Sequence, residues 1–258
     1  MRRLILEDPL ARSAVWSRNL AVFALLVAVF GVVLSRKGLD AKAALAIEGG
    51  ALALAGLAIL FAFIAMAVIW RTGFRGTGFA LGGMVLSLVL FAYPAYLAVE
   101  ARTAPAVLDV STNTDDPPSF LGTPTALAAR HGRTPSPVMN RADIARQNRL
   151  YPDLQTLDLE ADAADVDETV HALIKRRHWQ IVDETAPVDF ATGHIDVVVK
   201  PALMGFPVDL TIRIRGLGNR TKVDIRSVAR SQWQEQPGAN AARVQALAAD
   251  IEDAAGQS

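Results

Sequence analysis

Three long apolar stretches occupy the first hundred residues of the chain. They cover residues 20–34, 49–70 and 76–99, and none contains a charged side chain. An α-helix rises about 1.5 Å per residue, so about twenty apolar residues are needed to cross a bilayer. With the apolar residues that precede the first stretch, the pattern predicts three membrane-spanning helices near residues 16–35, 48–70 and 76–99. These helices make residues 1–102 a membrane region.

Residues 150–258 instead alternate between strand and helix patterns. Period-two alternation predicts strands, and apolar side chains at helical spacing predict helices. The predicted strands are residues 154–159, 179–182, 194–200, 208–215 and 221–229, and the predicted helices are residues 164–178 and 239–254. Consecutive strands with short loops form antiparallel sheets. We therefore predict a soluble α+β domain with two layers, an antiparallel sheet with two helices on one face.

A proline-rich connector, residues 103–149, joins the two regions. It holds six of the thirteen prolines of the chain, and no helical pattern in it is longer than two turns. A connector of this length is either a spacer or a segment that wraps the next domain. Residues 106–110 have the alternation of a strand that pairs with that domain.

Charge separates the two regions further. Residues 1–102 carry ten Lys/Arg and five Asp/Glu, whereas residues 103–258 carry sixteen and twenty-one. The formal net charge of zero is therefore the sum of a basic membrane region and an acidic remainder, and such a remainder argues against a nucleic-acid partner. The chain has no cysteine, which excludes a disulfide, a thiolate metal site and a cysteine nucleophile.

The basic residues that flank the spans predict the topology. Six lie on the side of the N-terminus and four on the opposite side: Arg2, Arg3, Arg12, Arg18, Arg71 and Arg75 against Arg36, Lys37, Lys42 and Arg102. The positive-inside rule then predicts a cytoplasmic N-terminus. After three spans, the C-terminal domain lies outside the cytoplasmic membrane. We expect a bacterial inner-membrane protein of the cell envelope with a periplasmic domain.

The spans themselves predict an anchor rather than a transporter. Glu48 lies at the beginning of the second span, where it reaches the interface, and no acidic path follows it. Two rows of small residues allow close helix packing: Gly49, Ala53 and Gly56, and Gly78 and Gly82. They predict packing among the three spans, with homodimerisation as the alternative.

Charged side chains crowd the outward face of the last three strands of the domain. They are His194, Asp196 and Lys200, then Asp209, Arg213 and Arg215, then Lys222, Asp224, Arg226 and, just beyond the last strand, Arg230. One interpretation is an anion-binding surface of arginine forks. The other, which we favour, is a solvated sheet face with exposed ion pairs.

Motifs for catalysis, metals and cofactors are absent from the sequence. His194 and Asp196 share a strand face, but a zinc site needs three or four ligands, so we predict no metal. The adjacent acids in residues 167–168 and 183–184 point apart instead of converging on an acid–base site. No glycine-rich phosphate loop and no nucleophile elbow occurs, so we predict no cofactor and no catalytic residue.

Three motifs carry a resemblance. They are AVLDVSTNTDDPPSF (residues 106–120), GFPVDLTIRIR (residues 205–215) and VDIRSVAR (residues 223–230) followed by GANAAR (residues 238–243). They resemble the bacterial family catalogued as domain of unknown function 1499, over about residues 105–255. The resemblance implies an α+β domain next to a membrane, and the family has no settled activity to transfer.

The resemblance and the charged face together give seven candidate ligand-binding residues: Asp209, Arg213, Arg226, Ser227, Arg230, Asn240 and Arg243. Two departures weaken a shared site, because Val208 stands where the family has an aspartate and residues 231–237 replace a shorter turn, with Glu235 in place of its aspartate. A structural role also fits, since Asn240 can cap the last helix and Arg243 can reach Asp209 or Glu235.

Two functions remain open. The first is a non-enzymatic, membrane-anchored envelope protein whose soluble domain binds a partner protein, a lipid headgroup or a small anion. The second is a hydrolytic enzyme that uses Asp209, Ser227 and the neighbouring arginines. The enzyme requires a concave pocket that joins these side chains.

Overall fold

The chain forms two compact units, Met1–Val99 and Glu100–Ser258. The computed structural model describes residues 9–103, 107–188, 192–200, 206–230 and 238–255. The first unit contains the long apolar helices, and the second contains the whole of the described β-sheet.

The three predicted spans are confirmed as helices α1 (Arg12–Arg36), α2 (Ala41–Thr72) and α3 (Thr77–Thr103). All three are long and apolar enough to cross a membrane. Helix α1 is the shortest of these three, and its 25 residues extend about 38 Å, which exceeds the roughly 30 Å of a bilayer's hydrocarbon core. Asp40 caps the start of α2, and Gly73 in the left-handed conformation, with φ of 72°, ends it.

Helices α1 and α2 pack against each other through small side chains. Their buried positions are Ala14, Ser17, Ala21, Ala24, Gly31 and Ser35 on α1, and Ala44, Ala51, Ala55, Ala58, Ala62 and Ala65 on α2. Lipid is as apolar as the side chains, so close van der Waals contact and hydrogen bonds hold membrane helices together. The hydroxyl of Ser17 donates such a bond to the carbonyl of Ala58, at 2.9 Å.

Helix α3 meets α1 at Gly83, a glycine outside the predicted rows. A Cβ at Gly83 would lie 2.3 Å from the Oγ of Ser17 and 2.7 Å from its carbonyl carbon. Four glycines of the predicted rows have open space instead: Gly49, Gly56, Gly78 and Gly82. The prediction that these rows pack the three spans was therefore wrong. Spacing shows that small residues share a face, but it does not show which face meets a neighbour.

The second unit is built on an open antiparallel sheet, which confirms the predicted α+β class. Its strands are β1 (Asp109–Ser111), β2 (Leu157–Leu159), β3 (Gln180–Thr185), β4 (Gly193–Val199), β5 (Val208–Gly216) and β6 (Thr221–Ala229). The strand order is β1-β6-β5-β4-β3, and β2 also pairs with β6. Both β1 and β2 occupy the outer edge of β6, since β1 pairs with residues 226–228 and β2 with residues 221–223. Strand β3 forms the opposite edge.

Four helices belong to this unit: α4 (Pro124–Ala129), α5 (Arg141–Leu150), α6 (Ala163–Arg176) and α7 (Ala239–Ala255). As predicted, α6 and α7 cover one face of the sheet, and the main apolar core lies between them and the strands. Its side chains include Val170, Ile174, Val244, Leu247 and Ile251 from the helices and Ile195, Val197, Leu210, Ile212 and Ile225 from the strands.

The other face of the sheet is covered rather than solvated. Residues 107–149, here named the covering segment, run across it and include β1, α4 and α5. Asp196, Asp224 and Arg226 on this face are 0% exposed. The prediction of a solvated face with exposed ion pairs was wrong, because alternation along a strand cannot show that a distant proline-rich segment lies over it.

The covering segment contains more regular structure than its sequence predicts. Helix α5 has 10 residues, almost three turns, where no helical pattern longer than two turns was expected. Of the strand expected at residues 106–110, the structure places Asp109 and Val110 in β1. Of the two alternatives for this connector, wrapping of the domain describes the course of residues 107–149.

We expect Gly83→Ala to destabilise the membrane unit, because the new methyl group meets the backbone of Ser17 and forces α1 and α3 apart. The matched control is Gly82→Ala, which places the same methyl group in open space and gains up to about 1 kcal/mol of helix propensity. Thermal unfolding of the detergent-solubilised chain, followed by circular dichroism, measures both. Equal midpoints for the two variants would contradict this packing.

Candidate functional site

Arg226 is completely buried beneath the covering segment. Its Nε and Nη2 donate to the two carboxylate oxygens of Asp109, at 2.8 and 2.6 Å. Its remaining donors reach backbone carbonyls of the covering segment, at 2.9 Å for Ser136, 3.2 Å for Pro118 and 3.4 Å for Pro137. A buried guanidinium needs this complete set of acceptors, because each unmet donor costs free energy. Arg226 therefore ties three parts of the covering segment to β6.

A second buried arginine, Arg130, follows α4. Its Nη2 forms a short ion pair with Asp196 on β4, and its Nε lies 3.6 Å from a carboxylate oxygen of Asp209 on β5. The ring of Phe120 lies beside both buried guanidinium groups, 5.0 Å from that of Arg130 and 5.7 Å from that of Arg226. The aromatic face offers further stabilisation to cations that are shielded from water.

Asp209 and Asp224, on the same face, are also paired with arginines. Asp209 accepts two hydrogen bonds from Arg230, at 2.8 and 3.0 Å. Asp224 accepts from Arg213 and from Arg215, each at 2.7 Å, and its other oxygen accepts from Thr156 at 2.6 Å. The buried aspartates thus each face at least one arginine, and the predicted anion-binding forks of Arg213, Arg226 and Arg230 are already occupied by carboxylates.

The other three candidates meet on the opposite face of the sheet: Ser227 on β6, and Asn240 and Arg243 on α7. Ser227 donates to the side-chain oxygen of Asn240 at 2.7 Å, and Asn240 donates to the carbonyl of Leu108 at 2.6 Å. Arg243 donates to the same Asn240 oxygen at 2.8 Å. Asn240 is 1% exposed and lies inside α7, so its predicted role as the helix cap was wrong. The trio joins β1, β6 and α7.

This arrangement does not support the hydrolytic site. Ser227 and Asp209 lie on opposite faces of the sheet, so no pocket joins them. Arg243 contacts Ser227 and Asn240, whereas the expected contact with Asp209 does not form. Glu235, its other expected partner, lies in residues 231–237, outside the described residues.

His194 and Asp196 offer no metal site in the described ranges. Asp196 is engaged by Arg130 and by the backbone N–H of Leu121, at 2.8 Å. Burial lowers the pKa of His194, with the charge of Asp196 opposing this and that of Arg213 adding to it. No group of three or more metal-ligating side chains occurs among residues that the structure describes.

A different cluster forms where α6 meets β3. The Nε2 of His171 lies 2.8 Å from a carboxylate oxygen of Glu184, and its Nδ1 lies 2.8 Å from the carbonyl of Asp167 and 3.4 Å from the carboxylate of Asp167. Each carboxylate comes from one of the two adjacent acid pairs that were expected to point apart. The pairs do diverge, but one member of each converges on His171.

The pKa values of His171 and Asp167 are both raised in this cluster. Burial opposes the protonated ring of His171, but the hydrogen bonds to Glu184 and to the backbone of Asp167, and the two carboxylate charges, together raise its pKa. Burial also raises the pKa of Asp167, against the opposing charge of His171 and with a smaller contribution from Glu184. Protonated His171 therefore stabilises the contact between α6 and β3.

The cluster borders an open groove of about 560 Å³, here named the α6–β3 groove. Its lining residues are Glu168, His171, Ala172, Ile174, Lys175, Trp179 and Ile181. Ile174 is buried and Trp179 and Ile181 are half-buried, so they form its floor, whereas Glu168, Ala172 and Lys175 are exposed at its border. Arg177 stacks on the ring of Trp179, with its guanidinium carbon 5.3 Å from the ring centre. The groove reaches the beginning of β3, an edge strand of the sheet, at Ile181.

Sequence reasoning missed this groove and the covering segment's part in the charged face. Asp109, Phe120 and Arg130 lie in a region that was predicted as a connector, and the possible pairing of residues 106–110 with the domain did not show that these side chains meet the charges of β4–β6. A partial signal existed, since Asp109 and Phe120 belong to the first family-like motif. For the groove, the signal was the helical spacing of Glu168, His171 and Lys175 on one face of α6.

The comparisons with known proteins agree with this description of the second unit. A family model described as a protein of unknown function, DUF1499, matches residues 109–251. The match covers more than half of the chain and runs from β1 into α7, so it includes the covering segment together with the sheet. No curated protein matches the chain.

We expect Arg226→Met to cost about 3–5 kcal/mol of stability, because Asp109 then remains buried without its partner. The matched control is Arg220→Met, which breaks a pair with Asp158 whose side chains are 53% and 39% exposed, and which should cost less than about 1 kcal/mol. Hydrogen exchange of the β6 amides in the detergent-solubilised chain measures both losses. Similar losses of stability in the two variants would show that Arg226 does not hold the covering segment to β6.

The cluster around His171 predicts a pH-dependent contribution to stability. The pKa of His171 is raised in the folded state, so its contribution is complete below the unfolded value of about 6.5 and is lost as pH rises through the folded value. We expect His171→Gln to lower the thermal midpoint at about pH 5.5 and to change it little at about pH 8.5. A midpoint difference that does not depend on pH would contradict the ion pair.

Proposed function

The chain belongs to the DUF1499 family, and we propose that it is a membrane-anchored binding protein whose soluble unit holds an extended segment of a partner protein. The segment lies in the α6–β3 groove and adds to the free edge of β3. One observation carries this proposal: in the described part of the soluble unit, an open groove with an apolar floor lies beside the beginning of an edge strand.

The edge strand supplies the backbone contacts. Strand β3 pairs with β4 on one side, and no other described strand pairs with its outer side. The pairing shifts at a bulge between Ile181 and Asp183, and Thr123 donates a hydrogen bond to the Asp183 carboxylate. The bulge and this contact limit the free edge to the first half of β3, which suits a short segment. Edge-strand addition is a common mode of peptide recognition.

The groove supplies selectivity. Alternate side chains of an added strand face the α6 side, where Ile174, Trp179 and Ile181 offer an apolar floor. Charges of both signs border the groove: Glu168 and Lys175 line it, Arg177 stacks on Trp179, and Glu184 is paired with His171. The apolar floor therefore favours apolar side chains in the segment, and the mixed charges at its border favour polar flanking residues. An open groove also covers too little of a small molecule to hold it tightly.

The hydrolytic alternative has no comparable support. Ser227 is engaged with Asn240 under α7, and Asp209 is engaged with Arg230 and Arg130 on the other face of the sheet. A nucleophile needs a base within hydrogen-bond reach, and the described neighbours of Ser227 supply none. The same pairing argues against a small anion as the ligand of these arginines.

The cellular setting of this proposal follows from the spans and their flanking charges. We place the chain in the bacterial inner membrane, with its N-terminus in the cytoplasm and its soluble unit in the periplasm. Six basic flanking residues against four support this orientation. The expected partner is then an envelope protein, and association of two copies of the chain remains the alternative. The acidic composition of the soluble unit argues against nucleic acid.

The test selects peptides and then challenges the groove. A library of linear peptides is displayed to the full-length chain in nanodiscs, and we expect selection of short apolar sequences with polar flanks. Ile181→Asp places a charge on the groove floor and should reduce binding at least about tenfold. The matched control, Leu217→Asp, changes a side chain that is 58% exposed in the β5–β6 loop and should leave binding unchanged.

Two outcomes would overturn the proposal. One is that the two variants reduce peptide binding equally, or that no peptide is selected. The other is that the full-length chain hydrolyses a generic ester and loses this turnover on Ser227→Ala. That second result would restore the enzyme hypothesis.

A further inference from the structure

A second groove, of about 400 Å³, lies at the beginning of α1 in the membrane unit. Its lining residues are Leu10, Arg12, Val15, Trp16 and Asn19. Helical spacing places the last four on one side of α1. The groove therefore combines a cation, an amide and an indole with two aliphatic side chains, and none of the described residues that line it is acidic.

This end of the unit has an excess of positive charge. Residues 9–20 and 69–80 contain four arginines and no acidic residue. The guanidinium of Arg18 stacks on Phe79, 4.4 Å from the ring centre. The side chains of Arg12 and Arg71, in contrast, make no hydrogen bond or ion pair with any part of the chain that the structure describes. Arg12 thus presents an unmatched cation in the groove.

The groove lies along α1 where the charged flank of the helix meets its apolar stretch. Helix α1 begins at Arg12, and the uncharged apolar stretch begins directly after Asn19. Trp16 is 58% exposed, and tryptophan concentrates at membrane interfaces, where its ring meets the headgroup level. A ligand at this depth meets the headgroup of a lipid on one side and its acyl chains on the other.

We propose that this groove binds an anionic phospholipid. The phosphate accepts hydrogen bonds from the Arg12 guanidinium, since an arginine fork matches phosphate oxygens. Asn19, two turns nearer the apolar stretch, donates to an ester carbonyl of the same lipid, and Val15 and Trp16 contact the upper part of an acyl chain. The apolar lining distinguishes this ligand from free phosphate, which has nothing to place against aliphatic side chains. The site is independent of the α6–β3 groove and of the partner proposed there.

The test uses the full-length chain in a neutral detergent and native mass spectrometry of bound lipid. We expect phosphatidylglycerol to remain bound where phosphatidylcholine of the same acyl chains does not. Arg12→Gln should weaken phosphatidylglycerol binding about tenfold, because it removes a charge-assisted contact. The matched control is Arg71→Gln, which removes the same charge from the same end of the unit, outside the groove, and should leave binding close to that of the unchanged chain.

A second variant separates charge from fold. Arg12→Lys keeps the positive charge without the fork, so it should restore part of the binding, and circular dichroism of every variant should match that of the unchanged chain. Equal losses for Arg12→Gln and Arg71→Gln would reduce the effect to general charge and overturn the site. Displacement of the lipid by millimolar inorganic phosphate would assign the groove to a free anion and would also overturn it.

Discussion

The buried guanidinium of Arg226 is the contact on which the soluble unit most depends. A charge of this kind is tolerated away from water only if all of its donors are met. Here Asp109 supplies two acceptors and three backbone carbonyls supply the rest. Because those acceptors come from three separate points of the covering segment, the requirement of one side chain fixes the course of about thirty residues across the sheet.

The same requirement explains why the charged face is not a binding surface. The buried arginines are bound to the aspartates, so these carboxylates are not available to a cation. The guanidinium groups, in turn, are not available to an anion. Arg130 extends the arrangement from β6 to β4 and β5 through Asp196 and Asp209. Ser227 lies on the other face, and the two surfaces proposed for recognition are ones that these ion pairs leave open: the α6–β3 groove and the groove at the beginning of α1.

Much of the fold was predictable because its signals are local. Length and polarity alone define three spans, and period-two alternation located β5 and β6 to within one residue. The candidate site was less accessible. Family-like motifs pointed to Asp209, Arg226 and Arg230 as important residues. They did not show whether these residues bind a ligand or hold the covering segment to the sheet. The partners that decide between them, Asp109 and Arg130, are distant in sequence and lie in a proline-rich segment for which both a spacer and a wrapping course were open.

The sequence by itself determined that this protein has three long apolar helices able to span a membrane, followed by an antiparallel α+β domain, because hydrophobic length and side-chain periodicity are properties of short stretches. Only the tertiary structure decided which faces are covered, because burial depends on what a distant segment brings to a face. The charged face of β4–β6, which was predicted to be solvated, contains the most buried charge network described in the domain. The tertiary structure also brought Glu184 from β3 to His171, a partner that the i,i+4 spacing of Asp167 and His171 on α6 did not indicate.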